Sequence, residues 1–401
     1  MNRRSSTRCA VLGAAVPILL AVAGCGADDD SKSPAATVPG LAGDVTCTAP
    51  DGAKGPGSGT KAVGFVYAGS KTDLGYNQAV HTGAAALREA CPDIELLESD
   101  AVPQASGMTQ AAERMIGEGA RVIFSTSPAY ADAAVALAQK HSDVVVLQQG
   151  IAVDEPLPPN LGTYDGSAHE PAYLAGIVAA TATKTKKLGF VTASAQPRSL
   201  ANVNAFALGA LSVDPKNRTH VRFTGSTCGP AAQLRAARSL LSEGTDVLAQ
   251  EQDCTSTIIK AAETDDKYSI GFHFDARALA PKGWLTGVES NWAPLFGAIL
   301  SSVQKGTFAK SEYHDNVVVG FTSTRIPPAT RLARYGPAID VGVAQTVSNA
   351  RAEIIGGRSP FDGPIVDRAG KVRVARGKSP TRRQLADMDY VVKGVLGALP
   401  K

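Results

Sequence analysis

Short apolar runs alternate with amphipathic segments along the chain from Lys61 onward. Ala62–Tyr67 (AVGFVY) predicts a buried strand. A helix capped by Asp73 is predicted to extend to about Glu89, with its apolar residues on one face. The alternation continues with predicted strands at 94–97, 121–125 and 144–148 and predicted helices at 107–117 and 129–140. Strands and helices that alternate at these lengths predict βαβ units, with a parallel sheet covered by helices on both faces.

The same alternation restarts in the second half of the chain. Helices are predicted at 173–182, 200–211, 231–242 and 256–263, and strands at 188–192, 221–224, 247–250 and 269–274. The sequence therefore predicts an α/β protein with two doubly wound units. Ligands of such sheets bind at the carboxyl ends of the strands. Here those ends are 69–77, 126–130, 193–197, 225–229, 251–254 and 273–275.

The first 25 residues have the pattern of an export signal. Arg3, Arg4 and Arg8 precede an apolar run from Ala10 to Ala23, which is too short to span a bilayer. The run ends in Val-Ala-Gly-Cys, a pattern typical of bacterial lipoproteins in which Cys25 is acylated. We predict a lipidated Cys25 that anchors the protein at the outer face of the cell membrane. The alternative is an ordinary secretory signal with a chance cysteine.

Residues 26–60 are predicted to be a flexible tether. Three consecutive aspartates at 28–30 are followed by a stretch rich in Ser, Pro and Gly, which cannot bury enough apolar surface to fold. Gly55–Gly59 is glycine-rich, but no predicted strand precedes it, so we interpret it as linker and not as a phosphate-binding loop.

Charge and cysteine content narrow the functional classes. The formal net charge of +3 disappears once the three N-terminal arginines are removed, and a neutral chain argues against nucleic acid as a partner. In an oxidising compartment the remaining cysteines can form disulfides. We predict Cys47–Cys91 and Cys228–Cys254, because each pair then stays within one unit. The spacing fits no zinc site, and we predict neither a metal nor a cofactor.

Four stretches of the chain resemble the basic membrane protein family of solute-binding lipoproteins, which includes purine-nucleoside receptors of ABC importers. They are VGFVYAGSKTDLGYNQAVHTGAAAL from Val63, PNLGTYDGSAHEPAYLAGIVAATATKTKKLGFV from Pro159, NAFALGALSVDP from Asn204 and SPFDGPIVDRAGKV from Ser359. The resemblance implies a type I periplasmic-binding-protein fold, an extracytoplasmic location and an ABC permease as partner. It also implies three crossings between two lobes, which we place near 165, 288 and 320. Lobe 1 would hold 61–165 and 289–320, and lobe 2 would hold 166–288 and 321–401.

The first candidate ligand contacts follow the first strand. Family members carry an Asp, an aromatic residue and an Asn here, so the resemblance implies that Asp73, Tyr76 and Asn77 contact the ligand, with Tyr76 stacking on a flat ring. The competing interpretation is that Asp73 only caps the helix and Tyr76 only packs. Ser127 stands at another strand end and is a further candidate.

The remaining candidates come from the second unit. Asp253 follows a strand and either accepts ligand protons or caps the next helix. Nucleoside-binding relatives carry two acids around one residue where this chain has His273 and Asp275, and a lysine where it has Ser290. A second stacking aromatic, expected near Thr227, is also missing. The departures put nucleoside specificity in doubt. Asn291 and Trp292, which follow Ser290 in the sequence, complete the predicted site. Trp292 either replaces the missing aromatic ring or packs between the lobes.

These patterns lead to one main hypothesis and two alternatives. The main hypothesis is a monomeric binding protein without catalytic residues, which closes two lobes on a small polar solute and delivers it to a permease. A ligand sensor without transport is the first alternative. A secreted hydrolase is the second, and Cys254 with His273 is the pair that it would use.

Overall fold

The computed structural model describes residues 45–150 and 156–400. Within these ranges the strands are β1 (Ala62–Val66), β2 (Glu95–Ser99), β3 (Ala120–Ser125), β4 (Val145–Gln149), β5 (Leu161–Gly166), β6 (Lys187–Thr192), β7 (Arg218–Phe223), β8 (Val247–Glu251), β9 (Tyr268–His273), β10 (Trp284–Ser290), β11 (Asn316–Val319), β12 (Thr330–Leu332), β13 (Ile365–Val366), β14 (Val372–Val374) and β15 (Val395–Leu396). The helices are α1 (Tyr76–Ala90), α2 (Ala105–Gly117), α3 (Ala131–Lys140), α4 (His169–Ala182), α5 (Pro197–Val213), α6 (Pro230–Ser242), α7 (Ser256–Thr264), α8 (Ala293–Gln304), α9 (Val341–Ile355) and α10 (Arg382–Ala386).

The first sheet has the strand order β11-β5-β4-β3-β1-β2, and all neighbouring strands are parallel. One apolar core joins its strands to α1 and α8, and a second joins them to α2 and α3. Both faces of the sheet are therefore covered by helices. All five residues of β1 are buried, as its unbroken apolar run predicts.

The second sheet has the order β12-β10-β9-β8-β6-β7-β15. Its strands are parallel except for the edge strand β12, which pairs antiparallel with β10. Helices α4 and α5 cover one face and α6 and α7 the other. The two doubly wound α/β sheets predicted from the sequence are confirmed.

The chain passes from one sheet to the other three times, after β5, after β10 and after β11. Helix α8 packs in the apolar core of the first sheet, although it follows a strand of the second. The C-terminal strand β15 pairs with β7 in the second sheet. Three connecting segments therefore join the two layered units.

Gly176 and Gly209, which lie in the stretches from Pro159 and from Asn204 that resemble the family, have a structural role in helix packing. A Cβ atom on Gly176 of α4 would lie 2.0 Å from the carbonyl oxygen of Phe206, and one on Gly209 of α5 would lie 1.9 Å from that of Tyr173. The two helices can approach this closely because neither position carries a side chain. We infer that these motif residues determine helix packing rather than ligand contact.

Residues 45–60 do not form a tether, which corrects the predicted boundary at residue 60. The buried Gln304 side chain donates to the carbonyl oxygens of Cys47 and Thr60 at 2.7 and 3.0 Å and accepts from the amide of Gly59 at 2.9 Å. Cys47 is also bonded to Cys91, the predicted pairing. The segment is held on α8 by partners about 245 residues away in sequence, which local composition does not reveal. Residues 26–44 of the predicted tether, Cys25 and the signal lie outside the described residues.

Among the described residues, none of the helices combines the length and the apolar character needed to cross a bilayer.

Candidate ligand-binding site

The two sheets face each other where the β1–α1 loop meets the end of β8. The hydroxyl of Thr255 donates to the carbonyl oxygen of Leu74 at 2.6 Å, which links the two layered units directly. A Cβ atom on Gly75 would lie only 1.4 Å from the backbone oxygen of Asp253. Carboxyl-end loops of both sheets are therefore in contact, and the region between these loops is called the cleft below.

The Asp73 carboxylate is used inside the β1–α1 loop. It accepts from the amides of Gly75, Asn77 and Gln78 at 2.8 to 3.1 Å. The Asn77 side chain donates to the same carboxylate at 2.8 Å and accepts from the amide of Gly69 at 3.2 Å. Helix α1 starts at Tyr76, two residues later than an N-cap at Asp73 predicts, because these bonds and the left-handed Leu74 (φ 54°) fix residues 73–75 as a loop. The capping interpretation of Asp73 accounts for these bonds.

An aromatic cluster lies where the two sheets meet. The ring of Tyr76 meets His273 edge-on at 5.1 Å between centroids and Trp292 at 6.3 Å. Tyr164 meets Trp292 edge-on at 5.8 Å, and Phe296 stacks on Trp292 at 6.2 Å. The cluster joins α1, β5, β9 and the start of α8, so rings from both sheets take part.

Three polar atoms of this cluster are buried without a hydrogen-bond partner. They are the hydroxyls of Tyr76 and Tyr164 and the indole Nε1 of Trp292. Leaving a buried donor unpaired costs about 1–3 kcal/mol, and such groups are uncommon in native proteins. Three of them in one cluster between two sheets indicate a place where a polar ligand supplies the partners.

We expect Tyr76→Phe to weaken ligand binding about 5- to 10-fold without lowering the free energy of unfolding, because the hydroxyl has no partner in the folded chain. Tyr130→Phe is the matched control, since the Tyr130 hydroxyl donates to the carbonyl oxygen of Val102 and lies in the first sheet's other core. The control should lose about 1 kcal/mol of stability and keep its affinity. Calorimetric titration and chemical unfolding measure both quantities. Unchanged binding by Tyr76→Phe would exclude the hydroxyl from the site.

A partly buried charge network borders the rings. Arg198, at the start of α5, forms an ion pair with Asp165 of β5 at 3.0 Å and thereby connects the two sheets. Asp165 also accepts from Gln149 at 3.2 Å. Glu251, at the end of β8, accepts from Asn202 at 3.0 Å and from Thr192 at 3.2 Å. The carboxylates of this network are thus satisfied by protein groups.

Among the described carboxylates at this edge of the two sheets (Asp73, Asp165, Glu251 and Asp253), Asp253 has the fewest protein partners. Burial raises its pKa to about 7, the hydrogen bond from Thr227 opposes the shift, and the negative charges of Asp73 and Glu251 add to it. About a quarter of its side chain is exposed, and His273 Nε2 lies 4.0 Å away. The carboxylate therefore retains acceptor capacity toward the cleft.

His273 is neutral over the physiological pH range, because burial, assisted by Arg198, lowers its pKa to about 3. Its Nδ1 lies 3.1 Å from the hydroxyl of Ser290. These two residues stand where the resemblance places an acid and a lysine, so a neutral hydrogen-bonded pair occupies both positions. His273 also has a left-handed backbone (φ 65°), a strained conformation that occurs preferentially at functional sites.

The other predicted contacts are engaged outside the cluster. Ser127 Oγ accepts from the amide of Ala129. Asp275 accepts from the amide of Arg277 at 3.2 Å, and its carboxylate lies 3.7 Å from the Arg277 guanidinium. Asn291 ties the end of β10 to the carbonyl oxygens of Pro328 and Ala329. The polar groups of Ser127, Asp275 and Asn291 therefore make structural contacts with neighbouring parts of the protein.

Sequence reasoning missed Arg198, Asp165, Tyr164 and Gln149. Arg198 lies one residue beyond the predicted strand end at 193–197, and Gln149 one residue beyond the predicted strand 144–148. Extending each strand-end window by two residues would have included both. Among the described residues no group of histidine, cysteine and carboxylate side chains is arranged to hold a metal ion.

A family profile described as "ABC transporter substrate-binding protein PnrA-like" matches residues 60–323. The match covers more than half of the chain, so the protein belongs to this family of substrate-binding proteins of ABC transporters. The resemblance stated from the sequence motifs is confirmed.

Two similar proteins span most of the chain. A purine-binding protein of Brucella abortus is 27% identical over 341 residues, which cover 84% of this chain and 94% of the relative. A putative ABC transporter glucose-binding protein of Haloferax volcanii is 29% identical over 331 residues, or 82% and 80% of the two chains.

A solved solute-binding protein of Conexibacter woesei superposes with a TM-score of 0.62 at 20% identity, covering 74% of this chain and 96% of the other. At this identity the similarity establishes the fold alone.

Proposed function

We propose that the chain is the extracytoplasmic receptor of an ABC importer, that it captures a small polar solute in the cleft between its two sheets, and that a purine nucleoside is the first ligand to test. The observation that carries this proposal is the aromatic cluster of Tyr76, Tyr164 and Trp292, with its three buried polar atoms that lack protein partners. A ligand that satisfies these atoms is stabilised by the hydrogen bonds that the folded chain leaves unmade.

A purine nucleoside combines the two features that the cluster fits. Its flat base can lie against aromatic rings, and its sugar hydroxyls can donate to Asp253. The relative from Brucella abortus is named a purine-binding protein, which supports this choice, whereas the one from Haloferax volcanii is named a putative glucose-binding protein. Sugar hydroxyls are common to both classes. His273 and Ser290 would act as neutral donors or acceptors in place of a charged pair.

Capture proceeds by closure of lobe 1 (61–165 and 289–320) on lobe 2 (166–288 and 321–401), with the three connecting segments as hinges. A solute that touches both lobes favours the closed form, because it gains contacts there that the open form lacks. The Thr255–Leu74 hydrogen bond and the Arg198–Asp165 ion pair would form in the same step. The closed monomer, anchored through lipidated Cys25, would then dock on the permease.

The disulfide between Cys228 and Cys254 favours a binding protein over the alternative hypothesis of a thiol hydrolase. Cys254 is bonded to Cys228, so the sulfur that a hydrolase would use as nucleophile is blocked. We expect peptide mapping without reduction to recover Cys228 and Cys254 in one linked fragment. Alkylation of Cys254 in the native, unreduced protein would contradict this expectation and reopen the hydrolase hypothesis.

A thermal-shift screen of the full-length protein against nucleosides, sugars, amino acids and vitamins tests the function. A ligand at 100 times its dissociation constant stabilises the native state by about 2.7 kcal/mol, which is readily detected. A purine nucleoside that raises the Tm supports the proposal. If only solutes of another class raise the Tm, the protein is still a receptor but its ligand is not a purine nucleoside. If no solute raises the Tm, the proposal that the protein captures these solutes is contradicted. A normal hit without uptake by cells that carry the permease would favour a sensor.

A further inference from the structure

The charges that line the cleft do not cancel. Asp165, Glu251 and Asp253 lie around one guanidinium, that of Arg198, and Asp73 adds a fourth carboxylate close enough to raise the pKa of Asp253. His273 does not offset them, since its ring is buried and neutral. Within the described residues this part of the cleft therefore carries an excess of negative charge.

Three of the four carboxylates are committed to protein donors. Asp165 forms an ion pair with Arg198 and accepts a hydrogen bond from Gln149. Glu251 accepts from Asn202 and Thr192. Asp73 accepts from backbone amides of its own loop. The Asp253 carboxylate accepts from the Thr227 hydroxyl, and His273 Nε2 lies 4.0 Å away, beyond hydrogen-bond distance. The Asp253 carboxylate can thus accept further hydrogen bonds, and it lies among three other negatively charged side chains.

We propose that the cleft selects solutes by charge: it accepts ligands that present a hydrogen-bond donor or a cation to Asp253 and rejects those that carry an anionic group at that position. Two like charges a few ångströms apart in a partly buried site repel each other strongly, because the protein screens them less than bulk water does. Arg198 offsets this negative charge only in part, because its guanidinium already forms an ion pair with Asp165 at 3.0 Å. Phosphorylated and carboxylated solutes are therefore excluded, whereas neutral and amine-bearing ones enter.

Matched ligand triplets test this inference, which rests on the proposed function. One triplet is adenosine, adenosine 5′-monophosphate and 5′-amino-5′-deoxyadenosine, and the other is glucose, glucuronate and glucosamine. Affinities are measured calorimetrically on the full-length protein. In the triplet that binds, we expect the anionic member to bind at least about 100-fold more weakly than the neutral member, and the amine to bind as tightly or more tightly.

Asp253→Asn supplies the second half of the test. Removing this charge should narrow the gap between the anionic and neutral members at least about 10-fold. Asp93→Asn, which removes an equal charge from an exposed turn, should leave the affinity gap between the anionic and neutral members as it is. Equal binding of anionic and neutral members by the wild-type protein, or an affinity gap that Asp253→Asn does not narrow, would overturn charge selection while capture stands. Failure of both triplets to bind would overturn the proposed function for these solutes, and charge selection with it.

Discussion

Asp253→Asn should make the folded protein more stable at pH 8 wherever the two sheets are in contact as described, and it should make the ligand complex weaker. The folded protein holds the pKa of Asp253 at about 7, whereas an unfolded aspartate titrates near 4. Above pH 7 the wild-type chain must therefore bury a charge that asparagine does not carry. We expect the variant to gain on the order of a few kcal/mol in unfolding free energy at pH 8.

The pH dependence of this gain has a definite sign. A carboxyl with a raised pKa in the folded state makes the native protein bind more protons than the unfolded chain between about pH 4 and 7, so wild-type stability falls as the pH rises through that window. His273 acts in the opposite direction, because its lowered pKa favours folding as the pH rises from about 3 to 6.5. The His273 contribution is common to both proteins. The difference in unfolding free energy between variant and wild type therefore reports the contribution of the Asp253 charge alone. This difference should be small at pH 4 and reach its full size by pH 8.

Ligand binding should change in the other direction. An ionised Asp253 accepts strong hydrogen bonds from the ligand, worth about 1.5–3 kcal/mol, so asparagine should weaken binding about 10- to 100-fold at pH 8. Wild-type affinity should also fall as the pH drops below 7, and this dependence should be weaker in the variant. Asp93→Asn serves as the control for both measurements. A variant that is less stable at pH 8 and binds normally would show that Asp253 is a structural residue.

The second large effect is expected from Gly75→Ala. An alanine Cβ at this position would lie 1.4 Å from the backbone oxygen of Asp253 in the other lobe, a distance that no rotamer change relieves. The lobes would have to stay apart at this contact, while each keeps its own core. We expect ligand affinity to fall at least about 100-fold, which corresponds to about 2.7 kcal/mol.

Gly117→Ala is the matched control, because a Cβ there meets no atom within 4 Å. It lies at the end of α2 in the first lobe and should leave affinity unchanged. The Tm of the free Gly75→Ala protein should stay close to that of the wild type. Full affinity in Gly75→Ala would mean that the contact between Gly75 and Asp253 is not part of the bound state.

The sequence pattern was sufficient to predict the layered fold. Buried strands such as β1 consist of unbroken apolar residues, and the helices between them show one apolar face, so their periodicity identifies them locally. The strand ends then predicted where Tyr76, Asp253 and His273 would lie. This part of the site follows from chain order, because the carboxyl ends of parallel strands share one edge of a sheet.

The roles of individual side chains depend on partners that are distant in sequence. Arg198 and Asp165 belong to different sheets and meet only in the folded arrangement of both, and Gln304 binds residues 45–60 although it lies about 245 residues further along the chain. Asp73 is different, since all its partners are local. Its assignment as a ligand contact rested on the family resemblance, whereas the loop amides account for its carboxylate.

The most direct test of the account is small-angle X-ray scattering of the wild-type protein, with and without a saturating concentration of its tightest ligand from the thermal-shift screen. Capture by lobe closure predicts that the ligand lowers the radius of gyration, and that the scattering of the complex fits the closed structure with its Thr255–Leu74 contact. A tightly bound ligand that leaves the scattering curve unchanged would contradict closure as the mechanism of capture.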